Sequence, residues 1–83
     1  MKLTIVFVPS AFKHGVTEAD IWNAYETRIH DRLLEDCDNK CGFIGFNRAA
    51  NPIEVFYNPV DEDTIKVYHA MALRPGVLNE LRD

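Results

Sequence analysis

Ile53-Glu54-Val55-Phe56-Tyr57-Asn58 and Thr64-Ile65-Lys66-Val67-Tyr68-His69-Ala70 are two runs of strand chemistry. Each alternates β-branched or aromatic residues with polar ones, the period of a half-buried strand. Asn58-Pro59 and the acidic run Asp61-Glu62-Asp63 lie between them and read as the turn. A connection this short cannot carry a parallel crossover, so the two strands are expected to pair antiparallel. Upstream, residues 31–37 and 42–48 have the same chemistry. They are joined through Asp38-Asn39-Lys40, and Ala49-Ala50-Asn51-Pro52 leads on to the next strand. The expectation is an antiparallel β-meander of three to four strands.

The N-terminal part adds a strand and helices. Leu3, Ile5 and Phe7 fall on one face of a strand over residues 3–8, which Pro9 stops. Ser10 is placed to cap a short helical turn through Phe12-Lys13-His14, and Gly15 is suited to a left-handed terminator. Thr17 then reads as the N-cap of the clearest helix. Asp20 stands in a capping-box position, and Val16 and Ile21 are placed as a hydrophobic staple. Ile21, Ala24, Tyr25 and Ile29 form its apolar stripe, with Trp22 at the edge of the core, and the helix is expected to fade near Thr27 to Ile29. After Pro75 and Gly76, the residues Val77, Leu78 and Leu81 suggest a short terminal helix or docking segment. The expected fold class is α+β, with the short N-terminal strand and one or two helices on one face of the meander and the other face left open.

The chain has 83 residues, the size of a single domain over 1–83. It holds no apolar run long enough to span a bilayer, and Leu3 to Val8 is too short for a secretion-signal core, so the cytoplasm is the expected location. The formal net charge is −4, with acidic residues gathered at Glu35, Asp36 and Asp38 and at Asp61, Glu62 and Asp63. Non-specific nucleic-acid binders usually carry a positive field, so this balance argues against that class while allowing a local basic patch. Cys37 and Cys41 flank a turn. With no sign of an oxidising compartment and no second cysteine pair, two reduced thiols are expected rather than a disulfide or a metal site. Gly42-Phe43-Ile44-Gly45-Phe46 lacks the ending of a phosphate-binding loop and reads as strand.

Lys13-His14-Gly15-Val16-Thr17, followed by an acidic amphipathic helix, resembles the KHGV opening of BrnT-like proteins. Gly45-Phe46, Ile53-Glu54-Val55, and Tyr68-His69-Ala70-Met71 with Arg74-Pro75 extend the likeness from Lys13 to Leu78. The order of elements also resembles the RelE-like toxin fold. The resemblance implies a toxin of a type II toxin–antitoxin module, acting as a messenger-RNA endoribonuclease, held silent by a cognate antitoxin protein and needing no cofactor.

Metal-free RNA cleavage needs a base for the 2′-hydroxyl, an acid for the departing 5′-oxygen and a cation for the charge that builds on the phosphoryl oxygens. Histidine suits the first two tasks and arginine the third. The candidates are His14 and His69 for proton transfer and Arg74 for phosphate. Lys13 and Lys66 are secondary cations, and Tyr68 is placed to stack a base or donate its hydroxyl. Each has a plainer reading. His69 shares strand parity with Ile65 and Val67, which also fits a hydrogen-bonded histidine at the rim of the core. His14 fits a helix-end cation, Arg74 a salt bridge, Lys13 a solvated lysine and Tyr68 a sheet-surface aromatic. Glu54 would suit a general base if it faced the histidines, but it alternates with Ile53 and Val55, points away from them, and is most simply a solvated strand residue. Three functions follow in order: an RNA-cutting toxin, a non-catalytic interaction module on the same fold, and, with no helix-turn-helix spacing to support it, a DNA-binding regulator.

Overall fold

The computed structural model describes residues 3–33 and 40–81. The elements are β1 (Thr4–Phe7), a 3₁₀ turn (Pro9–Phe12), α1 (Glu18–Glu26), β2 (His30–Leu33), β3 (Cys41–Phe46), β4 (Pro52–Asp61), β5 (Thr64–Ala72) and α2 (Pro75–Leu81). They form an α+β fold with one five-stranded sheet in the order β1-β5-β4-β3-β2. The strands β2 to β5 form the expected antiparallel meander. β1 joins it at the far edge, parallel to β5, with Thr4 opposite Thr64 and Phe7 opposite Val67. Nothing local in residues 3–8 specifies that partner, because the pairing spans almost the whole chain. The expected turns at Ala49-Ala50-Asn51 and after β4 are both present, but the second lies later than read. β4 runs on through Asn58-Pro59 to Asp61. Among the described residues β3 pairs with β4 as far as Tyr57, and Pro59 faces Ile65 of β5 on the other side. The turn from β2 to β3, with Glu35, Asp36, Cys37, Asp38 and Asn39, lies outside the described residues, as does the terminal Arg82.

The start of α1 follows from its sequence. Thr17 Oγ1 accepts a hydrogen bond from the Asp20 backbone N–H at 3.1 Å, and Asp20 Oδ2 accepts one from the Thr17 N–H at 3.2 Å. Two N–H groups that a helix start leaves unpaired are thereby satisfied. Val16 and Ile21 are buried in the same cluster, as a staple requires. Gly15 has φ +81°, the left-handed conformation that glycine adopts without steric cost. Ser10 is not a cap. The 3₁₀ turn begins after Val8, and Ser10 Oγ instead donates to the Tyr68 carbonyl at 2.6 Å. Thr17→Ala should lower stability by about 1 kcal/mol, read as a fall in the urea midpoint at unchanged slope.

The two faces of the sheet are both used. On the first, Ile5, Phe43, Val55 and Val67 pack against Ile21 and Ala24 of α1. On the second, which the sequence reading leaves open, Val77 and Leu81 of α2 pack on Ile44, with Phe56 and Leu73 beside them. α2 therefore roofs part of a face that strand parity alone would give to solvent. β5 also carries a bulge. Phe56 faces His69 but Tyr57 faces Val67, so Tyr68 is an extra residue on β5. An inserted residue turns the following side chains to the opposite face. Val67 and Ala70 both belong to the first-face core, and His69 between them turns to the second face, where its ring stacks on Phe56 at a centroid separation of 4.8 Å. The parity that aligned His69 with Ile65 and Val67 is broken at this point. No helix among the described residues is long and apolar enough to cross a membrane.

Candidate functional site

The bulge places His69 above Glu54, and Glu54 organises the second face. Its side chain is fully buried, at 0 % exposure, near the start of the central strand. Such a carboxylate is stable only when its oxygens are matched by donors. They are matched here. His69 Nε2 lies 2.8 Å from Oε2. Arg74 Nη2 donates to Oε2 at 2.6 Å, its Nε to both oxygens at 3.1 and 3.2 Å, and its backbone N–H to Oε1 at 3.1 Å. Burial pushes the Glu54 carboxyl up, but hydrogen bonds from the Arg74 and His69 side chains, together with the Arg74 backbone N–H and its charge, outweigh it and hold the group below the usual glutamate range. Arg74 is raised in turn, first by its hydrogen bonds to Glu54 and then by that carboxylate's charge. The reading of Glu54 as a solvated strand residue is thus corrected. Its direction, away from Ile53 and Val55, is as expected, but α2 and the residues leading into it cover that face.

The hydrogen-bond pattern sets the state of His69. An ionised carboxylate is an acceptor only, so Nε2 of His69 carries the hydrogen in that bond. Nδ1 is left as the ring nitrogen that Glu54 does not engage. The imidazole is fixed in direction by Glu54 on its edge and by Phe56 on its face, while its side chain keeps 21 % exposure. A carboxylate that orients a histidine in this way is a recurring arrangement for proton transfer.

His14 meets this group from the other end of the chain. The chain leaves β1 with the Val8 N–H bonded to the Val67 carbonyl at 2.9 Å. The 3₁₀ turn, tied by Ser10 to Tyr68, then follows the edge of β5 and delivers the Lys13-His14-Gly15 turn. The His14 ring lies edge-on to His69, with centroids 5.6 Å apart. The three residues singled out for catalysis, His14, His69 and Arg74, therefore converge, with Glu54 as the link between the last two. Arg74 has 52 % side-chain exposure, but Glu54 occupies its Nε and Nη2. Lys13 is exposed beside His14. Lys66 is exposed on β5, opposite Val6 and Asn58 and on the strand segment before the bulge. Tyr68 is the bulge residue itself, with its ring 6.5 Å from that of Phe56. Phe56 is the member that nothing in the sequence singled out, and Glu54 the one that the sequence reading assigned to solvent. The signal for Glu54 was available in part, since an acidic residue inside an apolar strand run needs a partner unless that face is wet.

A second polar group lies on the first face. Tyr57 donates its hydroxyl to Asp31 at 2.6 Å, and Arg28 pairs with Asp31 at 3.1 Å while its guanidinium sits 3.9 Å above the Tyr25 ring. Burial, and then the Asp31 hydrogen bond, raise Tyr57 well above the usual phenol range. Cys41 is an unbridged, half-buried thiol. Burial pushes it up, Asp31 adds to the rise and the Tyr57 hydroxyl partly offsets it. It is thereby kept protonated and poorly nucleophilic. Among the described residues no group of three or more His, Cys, Asp or Glu side chains is placed to hold a metal ion. No family model, no curated protein and no solved structure matches this chain.

Proposed function

We propose that this chain is a metal-independent endoribonuclease, the toxin of a type II toxin–antitoxin pair on the RelE-like plan that its KHGV opening resembles. The observation that supports this most is the approach of His14 to His69, with rings 5.6 Å apart at the ends of chain segments remote in sequence. Two imidazoles at that spacing can both reach oxygens of one phosphodiester. In the neutral ring Nδ1 of His69 carries the lone pair, and Glu54 holds the N–H at Nε2. Nδ1 takes the 2′-hydroxyl proton as O2′ attacks phosphorus. The O2′–P bond forms, the P–O5′ bond breaks, and protonated His14 gives its proton to the leaving 5′-oxygen. The products are a 2′,3′-cyclic phosphate and a 5′-hydroxyl, and no oxidant or metal enters the balance. Arg74 and Lys13 supply positive charge near the phosphoryl oxygens. The protein works in the cytoplasm, and a cognate antitoxin silences it by covering this face.

The chain purified free of any partner should cut a mixed-sequence RNA in the presence of EDTA and leave cyclic-phosphate ends. His69→Gln keeps a hydrogen-bond donor toward Glu54 but cannot relay a proton, and should slow cleavage about 100-fold while leaving the circular dichroism spectrum unchanged. Intact RNA after long incubation with the wild-type chain sinks the proposal. A second reading, a non-catalytic interaction module, is favoured by the net charge of −4 and by the engagement of Arg74 with Glu54. It predicts that outcome.

A further inference from the structure

Next to the His69–Glu54–Arg74 group, the second face of the sheet and α2 frame an open groove of about 510 Å³. Phe56, Arg74, Gly76, Val77 and Glu80 line it. The volume is within the range of small-ligand sites. Proton transfer by the two histidines makes no use of it. Its apolar walls are an aromatic ring and a valine. Its polar groups are a guanidinium, which donates only, and a carboxylate, which accepts only. Phe56 is also the ring stacked on His69, so the groove and the imidazole that takes the proton share that residue. Glu54 engages Nε and Nη2 of Arg74, which leaves Nη1 as the donor outside that bond. At Gly76, which lines the groove, an added Cβ would meet nothing within 4 Å, so this position has room for a larger side chain.

We propose that this groove is a nucleobase subsite selective for guanine. The inference rests on the RNA-cleaving reading and names the base that lies beside the scissile phosphate. A flat ring can lie over the Phe56 and Val77 lining, as bases do on protein stacking platforms. The choice among bases comes from the pair Arg74 and Glu80. Along its pairing edge guanine presents the acceptor O6, then the donors N1–H and N2–H. One guanidinium N–H meets O6 and one carboxylate meets both donors. Adenine and cytosine offer a single donor group followed by lone pairs, and uracil offers a donor between two carbonyls. Each of these turns at least one lone pair toward the Glu80 carboxylate, leaving charge against charge and a hydrogen bond unmade. A site built to bond a group on its ligand rejects analogues that lack it.

The test is titration of the full chain with guanosine 3′-monophosphate, followed by chemical shifts, against the adenosine, cytidine and uridine 3′-monophosphates. Guanosine should bind at least about 10-fold more tightly than the other three. Glu80→Ala should erase that preference, and Gly76→Leu, which fills the groove from an open position, should weaken guanosine binding about 10-fold or more with no fall in thermal midpoint. Neither residue takes part in proton transfer. Equal affinity for the four nucleotides, absence of binding, or a guanosine preference that survives Glu80→Ala overturns the subsite, whether or not RNA is cut. Guanosine-selective binding lost in both variants upholds it even if the wild-type chain leaves RNA intact, in which case only the cleavage reading falls.

Discussion

Glu54→Ala is expected to destabilise the protein by about 3 kcal/mol, a large share of the roughly 4–12 kcal/mol that a chain of this size commands. Breaking a buried ion pair by removing one member generally costs about 3–5 kcal/mol, because the partner is left uncompensated. The lower end applies here. The Glu54 side chain has 0 % exposure but Arg74 has 52 %, so water can take back part of the guanidinium. His69 loses its acceptor as well, and the second face loses a packed side chain. Urea denaturation of the two chains at neutral pH measures the difference, and a loss below about 1 kcal/mol would show that Glu54 contributes little to the fold. Acid titration of stability gives an independent check. In the native state the Glu54 carboxyl lies below its ordinary value of 4.5. Between the folded and unfolded values the unfolded chain binds more protons, so stability rises with pH there. The contribution is complete above the unfolded value, fades as pH falls through 4.5, and is gone below the folded value. Glu54→Gln keeps the shape but cannot titrate, and its stability should therefore fall less steeply over that acid window than that of the wild-type chain.

How far the site could be read in advance depended on whether local rules governed each residue. The capping box of Thr17 and Asp20, the staple of Val16 and Ile21 and the left-handed Gly15 are all local devices, and α1 begins where they place it. The meander was legible because short connections permit little else. His14, His69 and Arg74 were selectable as chemical types, but their meeting depends on non-local events. β1 pairs with a strand about sixty residues away, and that pairing carries the His14 turn along β5. The extra residue Tyr68 turns His69 out of the first-face core, and no alternation rule signals a bulge within an unbroken strand pattern. Ser10 illustrates the same limit. Its hydroxyl has the chemistry of a cap, but it donates to the Tyr68 carbonyl on β5 instead. The burial of Glu54 required α2 to fold back over the sheet, which the sequence offered only as a short apolar tail.

Gly45→Ala is expected to be the most damaging single-methyl change in the chain. A Cβ at position 45 would lie 2.0 Å from the Ala24 carbonyl oxygen, 2.5 Å from its carbonyl carbon and 2.6 Å from its Cα. All three are backbone atoms of α1, so no rotamer change relieves the clash, and the helix must lift away from β3. Two tethers oppose that movement. Asn23 Nδ2 donates to the Phe46 and Asn47 carbonyls at 2.8 and 3.2 Å, and the Phe46 N–H donates to Thr27 Oγ1 at 3.0 Å. Lifting the helix strains these bonds and opens the first-face core around Ala24 and Phe43, both fully buried. Overpacking of a tight core costs about 1–3 kcal/mol and occasionally more, and this site belongs at or above the upper end because the obstacle is main chain. For a domain of this size that is a fall in melting temperature on the order of 15 °C. Gly42→Ala is the informative contrast. Its Cβ would meet Phe56 Cδ1 at 2.9 Å and Cε1 at 3.2 Å, atoms of a side chain rather than of the main chain, so its thermal loss should be smaller. Phe56 is also the ring stacked on His69, so Gly42→Ala should disturb the candidate site while Gly45→Ala unfolds the scaffold. Equal melting temperatures for the two variants would mean that α1 moves freely on β3, and that the close approach of helix to strand at Gly45 contributes nothing to holding the first layer in place.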